Sequence, residues 1–85
     1  MTRRETTIAK AILDFLHDLD YGQAQEIVIH AGACEKFLAL IPLSEFESVF
    51  QLCAREGWLD AVPRRFKGTL WSISAAGEKA RLEMR

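Results

Sequence analysis

The chain has 85 residues, 49% of them hydrophobic, with 11 basic and 12 acidic side chains and a formal net charge of −1. A chain of this length buries only about 60–65% of its unfolded surface, which suits one domain over 1–85 and excludes two separate cores. The charge removes the simplest case for a nucleic-acid binder, a strongly basic chain, yet it is unevenly spread: residues 1–54 carry four basic against eight acidic side chains, and residues 55–85 carry seven against four. No run approaches the roughly 18 apolar residues of a membrane span, and charged residues stand near the N-terminus where a signal peptide needs an apolar core. A cytoplasmic protein without membrane contact is therefore expected, with Cys34 and Cys53 reduced.

In chain order, Thr2-Arg3-Arg4-Glu5 reads as a capping box. It leads into Ile8, Ile12, Phe15, Leu16 and Leu19 at helical spacing, which predicts an amphipathic helix over about 3–19, with Asp14 and Asp18 toward water and Tyr21-Gly22 ending it. Residues 23–31 mix strand character at Ile27-Val28-Ile29 with a helical face of Ala24, Ile27, Val28 and Ala31. A short helix is the preferred reading, broken by Gly32-Ala33. The apolar stretch 34–42 is too long for a tight turn and predicts a helical turn or short strand of its own, and Pro42 holds the chain extended before Ser44.

Ser44 and Glu47 are spaced as a second capping box opening a helix over 44–56, with Phe46, Val49, Phe50 and Cys53 on its buried face. Gly57 supplies the left-handed residue that ends it. Residues 58–62 suit a strand, 63–68 a basic loop and 69–73 a second strand, after which Ser74 caps a last helix.

Two segments carry a family resemblance. Glu56-Gly57-Trp58-Leu59 is similar to the polar residue, glycine and apolar pair that close the recognition helix of winged helix-turn-helix proteins. Leu70-Trp71-Ser72-Ile73-Ser74-Ala75-Ala76-Gly77 resembles the aromatic strand, Ser or Thr, and glycine that begin the last helix of MarR-like and PadR-like regulators. The resemblance covers residues 44–82, with residues 8–19 as a compatible first helix. It implies an α+β, mostly α, winged helix-turn-helix fold: a three-helix core, a C-terminal two-stranded β-hairpin wing and a final helix.

That reading implies a small DNA-binding regulator on double-stranded DNA. Ser48, Gln51 and Arg55 would face the groove from the recognition helix, Gln51 reading adenine and Arg55 meeting a phosphate, while Arg64, Arg65 and Lys67, interleaved with Phe66, would grip the flanking backbone. Glu45 and Glu47 share the exposed side of this helix, where they act as a capping device or accept from a cytosine amino group. The plainer reading of 64–67 is a solvated hairpin tip. Trp58 and Trp71 are expected to pack across the hairpin, and Cys53 to be a small buried hydrophobe.

His30 and Cys34 stand four apart with no second pair to complete a zinc set, so no metal or cofactor is expected. No phosphate loop, carboxylate pair or activated nucleophile points to an enzyme. Ile8, Ile12 and Phe15, with Ala76, Ala80, Leu82 and Met84, offer apolar surface for a homodimer. The alternative is a winged-helix module that binds another protein, through the acidic first half or the apolar segment 37–41, with no direct DNA readout.

Overall fold

Thr2 sets the start of the first helix. Its hydroxyl accepts from the Glu5 amide at 3.1 Å and its own N–H donates to Glu5 Oε1 at 2.7 Å, the reciprocal pair expected of this spacing. In the computed structural model, which describes residues 1–20, 22–66 and 68–84, helix α1 then runs Arg3–Asp18 and buries Ile8, Ile12, Leu13 and Leu16. Leu19 closes α1; Tyr21, assigned to its stop, lies outside the described residues. Asp18 is exposed as expected, whereas Asp14 is half-buried, and both are paired. Asp14 pairs with Lys10 at 2.8 Å and with Arg81 at 3.3 Å, and Asp18 pairs with Lys36, whose hydrogen bond holds its carboxyl below the usual aspartate range.

Helix α2 spans Glu26–Phe37 and corrects two expectations. Gly32-Ala33 does not break it. A Cβ at Gly32 would meet the Phe15 ring at 2.2 Å, so the glycine lets α1 and α2 approach, and packing outweighs its weak helix propensity. The buried face is also different: Ile29, Gly32 and Ala33 are inside, while Ile27 is 75% exposed and Val28 and Ala31 face outward. Ala24 belongs to no helix. It pairs antiparallel with Trp71, donating at 3.0 Å and accepting at 2.8 Å.

The segment after α2 forms neither a separate helical turn nor a strand; α2 takes its first residues and ends at Leu38, left-handed at φ 64°. Ile41 is then held at both backbone atoms. Its N–H donates to Cys34 Sγ at 3.3 Å, its carbonyl lies 2.7 Å from His30 Nε2, and its side chain is fully buried. This anchor places Pro42 at the cap position, so helix α3 runs Leu43–Arg55 and its first bond is Phe46 N–H to Pro42 O at 2.9 Å. Ser44 therefore sits inside the first turn and does not cap, which corrects the proposed Ser44–Glu47 box. Phe46, Val49, Phe50 and Cys53 are buried as the spacing requires, and Gly57 takes φ 78°.

Strands β1 (Leu59–Arg64) and β2 (Gly68–Ile73) form an antiparallel hairpin, so the basic segment begins within a strand. The register sets Ala61, not Trp58, opposite Trp71. Trp71 instead meets Phe50 edge-on at 5.0 Å, which ties the hairpin to α3 rather than its two strands to each other. With Ala24 pairing to β2, β1 is left as the outer strand, where Pro63 removes no needed hydrogen bond.

Ser74 caps helix α4 (Ala75–Glu83), accepting from Gly77 N at 3.0 Å and donating to Gly57 O at 2.6 Å. Against α1, His17 Nδ1 lies 2.9 Å from both Glu78 carboxylate oxygens. The fold is thus α+β and mostly helical, with one buried cluster drawn from all four helices and β1. No helix among the described residues is long and apolar enough to cross a membrane.

Candidate nucleic-acid interface

Burying Phe46, Val49, Phe50 and Cys53 turns the opposite side of α3 outward. Ser44, Glu47, Ser48, Gln51 and Arg55 are all exposed there and form one stripe at helical spacing. Ser48 Oγ donates back to Ser44 O at 3.1 Å, leaving its lone pairs free, while Gln51 and Arg55 reach solvent. Glu45 leaves this stripe. Arg4, from the first turn of α1, donates to both of its oxygens at 2.5 and 2.9 Å, holding the carboxyl below the usual glutamate range. Only Glu47 thus presents an unpaired carboxylate from the first two turns among the described residues.

The hairpin carries the second part of the site. Arg64 is exposed and donates to Gln23 Oε1 at 3.2 Å, drawing the end of β1 toward the segment that precedes α2. The Arg65 guanidinium lies 5.5 Å from the Phe66 ring, and Phe66 is 90% exposed. Lys67, assigned to the same tip, lies outside the described residues.

Pairing separates the cations into two sets. Arg4, Lys10, Lys36 and Arg81 each meet a carboxylate of the helical body. Arg55, Arg64 and Arg65 meet none among the described residues, and Arg3 and Lys79 are the others so placed. A cation paired at short range offers little field to an outside anion; an unpaired one on an exposed hairpin offers most of its charge.

Two features of the surface, the Arg4–Glu45 pair and the internal use of the α1 face, escaped sequence reasoning. The Arg4–Glu45 pair joins residues far apart in the chain, and no local pattern announces it. Within the apolar segment 37–41, which the sequence offered as a docking surface, Leu38 and Leu40 are 90% and 81% exposed, whereas Ile41 is fully buried and Phe37 packs on the core. The α1 face assigned to a homodimer is consumed internally, since Ile8 and Ile12 are fully buried and Phe15 packs on the same core. Of the last-helix residues, Ala80 is also buried and Leu82 is 68% exposed.

His30 and Cys34 hold Ile41, and no group of three metal-ligating side chains occurs among the described residues. Burial pushes the Cys53 thiol up to about 12, as expected of a core hydrophobe. Comparison with family models, curated proteins and solved structures yields no match to this chain.

Proposed function

We propose that this protein is a small winged helix-turn-helix binder of double-stranded DNA, with α3 directed at the major groove and the hairpin gripping the flanking backbone. The observation that carries this reading is the separation of cations: those of the helical body are mostly spent on internal carboxylates, whereas Arg55, Arg64 and Arg65 have no acidic partner among the described residues. The removal of Glu45 from the exposed stripe by Arg4 supports it further, because a carboxylate facing the groove would repel phosphate. The Ala24–Trp71 pairing and the Phe50–Trp71 contact fasten the hairpin to the segment before α2 and to α3, so both parts of the site belong to one packed unit.

In this reading Arg55, Arg64 and Arg65, with Lys67, neutralise phosphates, and Gln51 supplies the bidentate amide that matches adenine. One domain of this size covers about 600–1,000 Å² on DNA, so attachment is expected to be weak and strongly salt-dependent. Anisotropy of a labelled duplex pool at ~50 mM salt tests it, where electrostatic attachment is strongest. Gln51→Ala should cost about 1–3 kcal/mol on the preferred site and little on unrelated duplex. Absence of binding by the wild type at that salt would sink the proposal.

The second reading, a protein-binding module, is favoured by Leu38 and Leu40. They stand exposed on the connection between α2 and α3, where phosphate contact would have selected polar side chains.

A further inference from the structure

Between the first turns of α2 and α3 lies an open groove of about 300 Å³. It is lined by the exposed Ile27 and Leu43, the buried Phe46 and two carboxylates, Glu26 and Glu47. Ile27 and Leu43 are 75% and 57% exposed, which wastes apolar surface unless something covers them. Neither Glu26 nor Glu47 has a cationic partner among the described residues, although four of the chain's other carboxylates do. An apolar slot between two unpaired carboxylates fits a protruding apolar side chain flanked by cations.

The chain itself carries that complement. At the hairpin tip Arg64 and Arg65 precede Phe66, all three exposed, with no acidic partner among the described residues. Phe66 leaves 90% of its surface open, with the Arg65 guanidinium 5.5 Å from its ring. We propose that the hairpin tip of one molecule seats in the groove of a second copy, with Phe66 between Ile27 and Leu43 and the two guanidiniums against Glu26 and Glu47. The hydrogen bond from Arg64 to Gln23 places the hairpin beside the segment leading into α2, three residues before Glu26. Tip and groove are therefore neighbours on one side of the molecule, as a reciprocal contact about a two-fold axis requires, and the assembly closes as a dimer instead of growing into a chain.

This inference does not rest on DNA binding and is tested without DNA. It does use the arginines assigned above to phosphate, so the dimer withholds them and the two states exclude one another. Sedimentation equilibrium of the full chain, from low to high micromolar protein at ~50 mM and ~500 mM salt, should show a dimer that weakens as salt rises. Phe66→Ser should raise the dimer dissociation constant by about tenfold or more. Two charge reversals are decisive: Glu26→Lys/Glu47→Lys and Arg64→Glu/Arg65→Glu should each be monomeric alone, and their equimolar mixture should dimerise. All these positions lie on the surface, and a native far-UV circular dichroism spectrum with one cooperative thermal transition checks that each variant folds, at a melting temperature lowered only by the lost association. A wild type that stays monomeric at high micromolar concentration overturns the proposal. So does a dimer untouched by these substitutions, or a mixture of the two reversals that fails to assemble. Capture of a foreign basic segment by a monomeric wild type would assign the groove to another protein and reject the second copy.

Discussion

Gly77 lies in the first turn of α4, where helix propensity alone favours alanine by about 1 kcal/mol. The structure reverses that expectation. A Cβ built at Gly77 falls 2.2 Å from the carbonyl oxygen of Trp58 and 2.8 Å from Ile73 Cγ1, and the carbonyl is backbone that cannot rotate aside. The same oxygen accepts the Ser74 N–H at 2.9 Å, and the Gly77 amide donates to Ser74 Oγ at 3.0 Å, so displacing it disturbs the whole junction of β2 with α4. Overpacking of a filled site costs about 1–3 kcal/mol, and a weakened buried hydrogen bond about 1 kcal/mol more. Set against the propensity gain, Gly77→Ala should destabilise by about 1–3 kcal/mol, lowering the melting temperature by roughly 4–8 °C for each kcal/mol in a chain of this size. Urea and thermal unfolding by circular dichroism measure it. Ala76→Gly, at the exposed neighbouring position, serves as control and should lose about 1 kcal/mol through propensity alone. A Gly77→Ala protein as stable as the wild type, or more so, would refute the packing of α4 on the start of the hairpin.

Further outcomes follow from the core and its margins. Ile29→Ala should cost about 2–5 kcal/mol and Ile27→Ala less than about 0.5, a contrast in unfolding free energy that reverses if α2 has the register its sequence suggests. Leu38→Gly should raise stability by up to about 1 kcal/mol in the same assay, because it relieves a left-handed leucine whose side chain is 90% exposed; a loss would mean that Leu38 packs on something. The Cys53 thiol, raised from 9.0 to about 12, keeps its proton in the folded state after the unfolded chain has released it. Its contribution to stability is therefore complete below pH 9 and lost progressively between 9 and about 12, so the urea midpoint should fall across that window in wild type and fall less in Cys53→Ala.

Much of the fold was legible because local chemistry and tertiary packing agree. The Thr2 box, the α1 stripe, the buried face of α3, Gly57 and the Ser74 cap all obey rules that act within four residues. Errors arose where a distant partner decided. Gly32 reads as a breaker until Phe15 is placed against it, and Ile27-Val28-Ile29 gives no sign of which residue turns inward until α1 fixes the face. Ser44 loses its capping role because Cys34 and His30 hold Ile41 and so set where α3 begins. Within the candidate site, the exposure of Ser48, Gln51 and Arg55 followed from the helix period. The neutralisation of Glu45 could not be foreseen, since Arg4 meets it only after α1 crosses α3.

The most direct measurement of the DNA-binding account is the salt dependence of duplex affinity for the wild type and for Arg64→Ala/Arg65→Ala. If each arginine neutralises one phosphate, the pair contributes about 1.8 to the magnitude of the slope of log affinity against log salt, and adding Lys67→Ala brings the loss to about 2.7. Affinity should then fall about equally on every sequence, with the preferred site unchanged, because phosphate contacts carry no base information. An unaltered slope in the double variant would contradict the account by leaving the hairpin cations without a phosphate partner.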